Sequence, residues 1–138
     1  MKYWIEVSDG WSWDLLLKGK RGLYAPNKKR YATMFKGIDR GDIVIHYLIT
    51  QMTKDKEKKS SIIGLSRVKS KAYVRENQII VDLEKITELP KPIKFNVFSK
   101  FLEKYSIAMQ KLIKVGMQRY LTEISQKDFE EIFKQSSG

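Results

Sequence analysis

Residues 39–50 read Asp-Arg-Gly-Asp-Ile-Val-Ile-His-Tyr-Leu-Ile-Thr, and this stretch decides the fold class. The first four residues have the composition of a tight turn, and the run that follows is β-branched and almost wholly apolar. A short apolar run bounded by turn residues indicates a buried strand at the centre of a sheet. His46 lies inside this run, so we interpret it as a hydrogen-bonded strand residue rather than as a catalyst.

Shorter segments on either side of this central strand complete the pattern. Alternating apolar residues predict strands over residues 2–7, 22–25, 61–68 and 78–86. Helices are predicted after Ser12, which can act as an N-cap, after Asn96, and after Ser125, where Asp128 completes a capping box. A break is expected at residues 89–92. The sequence therefore predicts an α+β domain or small open β-barrel, with about five to seven strands flanked by about three helices.

The composition of the chain favours binding over catalysis. Its 138 residues include 27 Lys plus Arg against 16 Asp plus Glu, which gives a formal net charge of +11, and 42% are hydrophobic. That hydrophobic fraction is enough for one folded domain. Zero cysteines exclude disulfides and thiolate chemistry, and a single histidine excludes most hydrolytic and metal sites. We therefore expect no enzyme activity, no cofactor and no metal in these residues.

The expected cellular location of the protein is inferred from the hydropathy of the sequence. No apolar run approaches the length of a membrane-spanning helix, and the N-terminus has no apolar signal region. We expect a cytoplasmic protein without a membrane partner. Residues 1–138 are expected to form one domain, in which residues 135–138 are the start of a linker or an expression remnant.

The positive charge is concentrated in three segments. Residues 18–40 carry eight basic side chains and one acidic one, residues 54–71 carry seven against two, and residues 104–119 carry four against none. By contrast, residues 72–90 and 121–138 are each net negative. A fold that brings the basic segments together would have one positive face, which is typical of a protein that binds a polyanion. A solvated lysine-rich surface without a partner is the alternative.

Several short motifs together resemble the EVE domain family. They are Tyr3-Trp4-Ile5, Trp11-Ser12-Trp13, Gly22-Leu23-Tyr24-Ala25-Pro26, Arg40-Gly41-Asp42 before the apolar run, and residues 62–68. EVE domains are PUA-like barrels related to YTH domains, and the family resembles readers of modified bases in DNA or RNA. In archaea, similar domains look like the DNA-recognition part of McrB-type, GTP-driven restriction proteins. The resemblance implies a reader whose aromatic-lined pocket receives a flipped or unpaired, modified base.

The resemblance also implies which residues line that pocket. Tyr24 matches the aromatic that YTH domains place after their second strand, and Leu83 stands where a second cage aromatic is expected. Because leucine offers no aromatic face, Trp11 or Trp13 would form the opposite wall. The predicted base pocket comprises Ser8, Asp9, Trp11, Ser12, Trp13, Tyr24, Ala25 and Leu83.

Cations for the phosphates are predicted beside this pocket. They are Lys28, Lys29, Arg30, Lys114 and Arg119. Residues 111–116 match a strand that in YTH domains lies beside the nucleic-acid backbone. The two basic segments that supply these cations are therefore expected to meet on one face.

Three functional classes remain open from the sequence. In the first, the domain is the DNA-recognition module of a McrB-type system, with a fused or associated GTPase motor and nuclease subunit outside these residues. In the second, it is a stand-alone RNA-binding module for tRNA or rRNA, and in the third a protein-interaction domain with a basic face. Stacking pockets and phosphate clamps serve DNA and RNA alike, and the resemblance favours DNA.

Overall fold

The computed structural model describes residues 1–8, 10–19, 22–49 and 60–136, without the side chains of residues 10–12 and 135–136. The strands are β1 (Tyr3–Ser8), β2 (Gly22–Pro26), β3 (Ile43–Leu48), β4 (Ser61–Val68), β5 (Tyr73–Arg75), β6 (Gln78–Lys94) and β7 (Leu121–Ile124). The helices are α1 (Gly10–Leu17), α2 (Lys29–Met34), α3 (Phe95–Phe98), α4 (Ile107–Lys114) and α5 (Gln126–Ser136), with a 3-10 helix at Leu102–Lys104.

The seven strands form one curled, mixed sheet that makes a half-barrel. Their order is β2-β6-β4-β3-β1-β7, and β5 pairs with the first residues of β6. The pair of β1 and β3 is parallel, and the other strand pairs are antiparallel. This arrangement confirms the predicted α+β fold with five to seven strands and the central position of β3. The described residues contain five α-helices, where about three were expected.

Both faces of the sheet are buried, because successive side chains of a strand point to opposite sides. On the inner face, Trp4 and Val44 pack with Trp13 of α1 and Phe35 after α2. On the outer face, residues such as Ile5 pack with helices α3, α4 and α5. Two separate apolar cores therefore hold the sheet, with α1 and α2 on one side and α3 to α5 on the other.

The predicted turn before β3 connects the start of β1 to β3 by hydrogen bonds. Gly41 adopts a left-handed φ of +88°, which a glycine tolerates without strain. The buried Asp42 carboxylate accepts hydrogen bonds from the backbone N–H of Lys2 (2.9 Å) and from Nε1 of Trp4 (3.0 Å). One short motif thus fixes the position of the first strand and of its core tryptophan.

Three hydrogen-bonded polar side chains lie across the inner face of the sheet. The His46 ring places Nδ1 2.7 Å from Oε1 of Glu6 and Nε2 2.8 Å from Oγ of Ser66. All three side chains are buried, and the ring of Trp13 lies over His46 with a centroid separation of 5.4 Å. The interpretation of His46 as a hydrogen-bonded strand residue is confirmed.

The expected break at residues 89–92 is wrong, because β6 continues to Lys94. Its partner β4 pairs Gly64 with Glu88 and Ile62 with Ile93, and the pairing register shifts between these pairs. A bulge of this kind accommodates Pro90 and Pro92, which have no N–H to donate to a ladder. The prolines bend the strand rather than end it.

Two further predictions in the C-terminal third are also wrong. The helix at Asn96 is only the four residues of α3, because the hydroxyl of Tyr105 donates a hydrogen bond to the carbonyl of Phe98. That carbonyl is then not available for a continuing helix. Residues 111–116 do not form a strand but belong to the end of α4 and the turn after it. In α4 the buried Met109 and Leu112 have the spacing of one helix face.

The capping box predicted for the last helix is confirmed. The N–H of Asp128 donates to Oγ of Ser125 (3.0 Å), and the N–H of Ser125 donates to Oδ2 of Asp128 (2.9 Å). Within the ranges that the structure describes, no helix is long and apolar enough to cross a membrane.

Candidate nucleic-acid interface

Tyr24 is an exposed aromatic residue on the edge strand β2. Its neighbours Leu23 and Ala25 are buried in the inner core, so the Tyr24 side chain points to the outer face of the sheet, where it is 37% exposed. The backbone N–H of Tyr24 donates to the hydroxyl of Tyr120 (3.1 Å), which lies just before β7. This bond joins the two edges of the half-barrel.

A second tyrosine faces Tyr24 across one strand. The register pairs Tyr24 with Ile80 of β6 and pairs Ile80 with Tyr73 of β5, so the three side chains share the outer face. Ile80 is only 3% exposed, which indicates that the two rings cover it. Because neighbouring strands lie about 4.8 Å apart, the backbones of the two tyrosines are about 10 Å apart. The two tyrosines on either side of the buried Ile80 form a site on the outer face, which we call the tyrosine pocket, made of Tyr24, Ile80 and Tyr73.

Polar groups lie at one end of the tyrosine pocket. The hydroxyl of Tyr73 donates to Oδ1 of Asp82 (2.8 Å), and the N–H of Asp82 donates to Oγ of Ser70 (2.9 Å). Asp82 is paired with Gly22, where the two backbones approach so closely that a Cβ would clash with the carbonyl oxygen of Val81. Among the described residues the second carboxylate oxygen, Oδ2, has no hydrogen-bond partner. Oδ2 of Asp82 is therefore a free hydrogen-bond acceptor next to the two tyrosines.

Four of the residues predicted for the base pocket lie on the inner face instead. Trp13 is 2% exposed and its Nε1 lies 3.4 Å from Oε2 of Glu88, while Ala25 and Leu83 belong to the same buried cluster. Ser8 at the end of β1 is also buried, and its Oγ has no hydrogen-bond partner among the described residues.

The other predicted pocket residues have no described side-chain position. Asp9 lies outside the described residues, and Trp11 and Ser12 are helical residues of α1 whose side chains are not described. The structure thus brings together Ser8, Trp13, Ala25 and Leu83 on the inner face and leaves Tyr24 on the outer face.

Two of the predicted phosphate-binding residues line one groove. Arg30 of α2 and Arg119 before β7 lie on a groove of about 760 Å³ between α2 and α4, together with Lys111. We call it the basic groove. Lys28, Lys29 and Lys114 are exposed near these elements but are not part of its lining. The segments 18–40 and 104–119 therefore do meet, as the sequence predicts.

The sequence matches the EVE domain over residues 2–135. The chain belongs to the EVE domain family. Among curated proteins, no sequence matches it.

Solved structures share the whole fold of this EVE domain. Rpa0253 from Rhodopseudomonas palustris has 15% identity and a TM-score of 0.68, with 99% of this chain and 94% of that chain covered. The N-terminal domain of Staphylothermus marinus McrB has 17% identity and a TM-score of 0.62, with 96% and 93% covered. Human THYN1 in complex with 5-methylcytosine-containing DNA has 13% identity and a TM-score of 0.59, with 99% and 97% covered.

Tyr73 is the residue of this EVE domain that the sequence analysis missed. The sequence signal for the position of Tyr73 is the pair Glu76 and Asn77 between two strands. In the structure both adopt positive φ (52° and 62°), as the central residues of a tight hairpin turn do. Such a turn pairs Arg75 with Gln78 and therefore Tyr73 with Ile80. Asn77 is a residue that tolerates this conformation, so a hairpin at this point could have been predicted.

The pKa of the Tyr73 hydroxyl depends on the polar groups at the end of the EVE domain's tyrosine pocket. The pKa of Tyr73 is raised above 10.0, first by the hydrogen bond to Asp82, then by burial, by the charge of Asp82 and by the nearby Tyr24, while Arg75 lowers it. Replacing Asp82 by asparagine is expected to bring this pKa back towards 10.0. An absorbance titration of the phenolate, with Tyr73→Phe to identify the signal, measures the change.

The sign of the linked stability effect follows from the raised pKa. The hydrogen bond contributes stability below pH 10, and this contribution is lost as the pH rises through the folded-state pKa of Tyr73. Asp82→Asn should reduce that loss at alkaline pH. A phenolate titration that is the same in Asp82→Asn and in the parent protein would show that Asp82 does not hold this hydroxyl.

Proposed function

We propose that this EVE domain is a nucleic-acid reader that receives a flipped or unpaired base between Tyr24 and Tyr73. The observation that carries the proposal is the aromatic pair across Ile80, in which Tyr24 is exposed and Tyr73 is half-buried. A base held between two rings needs ring planes about 7 Å apart, twice the stacking distance of 3.4 Å. The two backbones are about 10 Å apart, so the rings can stand at this distance once they turn away from Ile80, which they now cover. Stacking on aromatic rings stabilises an unpaired base.

The polar end of the pocket favours a base with an amino group. A carboxylate accepts hydrogen bonds from the N4 amino group of cytosine, and Oδ2 of Asp82 is free to accept one. The DNA bound to human THYN1 contains 5-methylcytosine, which has such an amino group. We therefore propose a modified cytosine or another amino-bearing base as the ligand.

The inner-face residues support the tyrosine pocket in this proposal. Ala25 and Leu83 lie in the core directly behind β2 and β6, which carry Tyr24 and Asp82. Ser8 at the end of β1 and Trp13 of α1, the helix that also carries Trp11 and Ser12, are buried on the same side of the sheet. These side chains would fix the position of the strands rather than touch the base.

The phosphates of the bound strand are proposed to lie on the basic face. Lys28, Lys29 and Arg30 begin α2, directly after the strand that carries Tyr24, and Lys114 and Arg119 flank the end of α4. Arg30, Lys114 and Arg119 form no ion pair with any carboxylate in the described ranges. They are therefore available to bind phosphate oxygens.

The salt dependence of binding tests this part of the proposal. Affinity for an oligonucleotide should fall with salt at a log–log slope of about −0.7 to −0.9 per contacted phosphate. Replacing Lys28, Lys29 and Arg30 together by alanine should reduce the slope and change the free energy of unfolding by less than about 1 kcal/mol, because exposed charges contribute little to folding. A flat salt response would favour the protein-interaction class instead.

A competition experiment tests the proposed ligand. Matched DNA and RNA oligonucleotides, each with and without a methylated cytosine, compete for a labelled probe. We expect the methylated DNA to compete best. Preference for the RNA would make the domain an RNA-binding module, and equal competition by methylated and unmethylated strands would contradict a modified-base reader.

Binding rather than catalysis is proposed for these residues. Ser66, His46 and Glu6 have the hydrogen-bond order of a hydrolytic triad, but all three are buried, and the ring of Trp13 lies over His46. Because Ser66 is only 2% exposed, its hydroxyl is not accessible to a substrate in this structure. In this proposal any GTPase motor or nuclease belongs to a fused or associated chain segment, as in a McrB-type system.

A further inference from the structure

The lining of the basic groove combines charge with an apolar wall. Arg30, Lys111 and Arg119 supply three cations, while Leu112, Val115 and two further apolar residues, Met34 and Ala108, supply a wall. Val115 is 54% exposed on this wall. Phosphates alone require only cations on an open surface. A concave apolar wall of this size matches a ligand that also carries a flat, apolar part.

The cations of the groove are free for a ligand. Within the described part of the chain, neither Lys111 nor Arg119 forms an ion pair, and Arg30 contacts only the ring of Tyr31, at 5.2 Å from its centroid. Three unpaired cations around one concave surface repel each other, and an anionic ligand relieves that repulsion. The groove is therefore complementary to a phosphate group.

Gln118 adds a polar group that can recognise a base. The chain leaves α4 through two left-handed residues, Gly116 (φ +68°) and Met117 (φ +60°), and the Met117 N–H donates to the carbonyl of Leu112. This turn places Val115 and Gln118 on the same groove. The amide of Gln118 has no partner among the described residues, and it offers both donors and an acceptor to a base edge.

One hydrogen bond connects the strand of Tyr24 to the residue that follows the basic groove. Arg119 lines the groove, and the next residue, Tyr120, accepts the hydrogen bond from the N–H of Tyr24. Tyr120 thus lies between Tyr24 and the groove residue Arg119, which places the groove within reach of a strand whose base contacts Tyr24.

We infer that the basic groove is a second nucleotide site, which holds an unpaired nucleotide of the strand whose other base enters the tyrosine pocket. This inference rests on the proposed function. The phosphate lies among Arg30, Lys111 and Arg119, the base lies against Val115 and Ala108, the exposed part of the apolar wall, and the amide of Gln118 bonds its edge. The domain then prefers DNA that is unpaired beside the base it reads.

The test compares two DNA probes by fluorescence anisotropy at fixed salt: a blunt duplex with one methylated cytosine, and the same duplex with a short thymidine overhang beside it. Gln118→Ala should weaken binding of the overhang probe about threefold to tenfold, the effect of one hydrogen bond, and leave the blunt probe unchanged. An abasic overhang should remove this difference. In a separate salt titration of the overhang probe, Lys111→Ala should reduce the log–log slope by about 0.7 to 0.9.

Gln126→Ala is the matched control, because Gln126 is an exposed glutamine of α5 outside the groove. Equal weakening of both probes by Gln118→Ala, or no gain from the overhang, would overturn the inference. So would an acidic peptide that binds the groove more tightly than the overhang probe, which would indicate a protein partner. If Tyr24→Ala and Tyr73→Ala leave the blunt probe unaffected, the proposed function fails, whatever the groove variants show.

Discussion

Replacing Asp128 by alanine is expected to lower the free energy of unfolding by about 3–5 kcal/mol, because three hydrogen bonds to a buried carboxylate are lost together. Oδ1 of Asp128 accepts the N–H of Ser106 (2.8 Å), and Oδ2 accepts the hydroxyl of Ser106 (2.5 Å) and the N–H of Ser125 (2.9 Å). Asp128 thus caps α5 and also holds the N-terminal end of α4. Urea unfolding followed by circular dichroism measures the change.

The control for this prediction is Lys127→Ala, one residue earlier on an exposed position of α5. Lys127→Ala should change the free energy of unfolding by less than about 0.5 kcal/mol. Asp128→Asn keeps one carbonyl acceptor, so its loss should be smaller than that of Asp128→Ala. Equal stabilities of Asp128→Ala and Lys127→Ala would show that the carboxylate does not join the two helices.

Replacing His46 by alanine is expected to cost about 3–5 kcal/mol as well, since it leaves a buried carboxylate without its partner. Nδ1 of His46 lies 2.7 Å from Glu6, and the ring also packs beneath Trp13. The variant therefore loses the hydrogen-bond partner of Glu6 and leaves a cavity in the inner core. Thermal and urea unfolding give the change in stability, and tryptophan fluorescence reports on Trp13.

The double variant Glu6→Gln/His46→Ala is the control for His46→Ala. A neutral amide at position 6 does not leave an unpaired charge, so the double variant should be more stable than His46→Ala alone. If His46→Ala is as stable as the parent protein, the buried pair does not hold the sheet. If the double variant is the less stable of the two, the loss comes from the cavity and not from the charge.

The parts of the fold that the sequence could predict are those with local causes. The apolar run of β3 lies next to its own turn, and the capping box needs only Ser125 and Asp128, three residues apart. The prediction failed where distant contacts decide. Pro90 and Pro92 stay in a strand because β4 shifts register beside them, and α3 ends where the Tyr105 hydroxyl takes the Phe98 carbonyl.

In the candidate site, too, residues with a local cause were predicted and residues placed by distant contacts were not. Tyr24 was found from its motif, and its exposure follows from the alternation of β2. Tyr73 was missed because it becomes a neighbour of Tyr24 only through the register of β6 with β2 and β5. Leu83 and Trp13 were placed with Tyr24, since a sequence does not show which face of a curled sheet a residue occupies. Lys111 joins Arg30 and Arg119 only once α2 and α4 are placed side by side.

The most direct test of the central claim is the affinity of Tyr73→Ala for an oligonucleotide with one unpaired methylated cytosine. Tyr73→Ala should lose about 1–3 kcal/mol of binding free energy, as Tyr24→Ala should, because each removes one stacking face. Neither should change the salt slope, because stacking releases no counterions. Val74→Ala is the matched control, an exposed neighbour on the other face of β5. Unchanged affinity in both tyrosine variants, with folding intact, would contradict the claim and leave a domain that binds only the backbone.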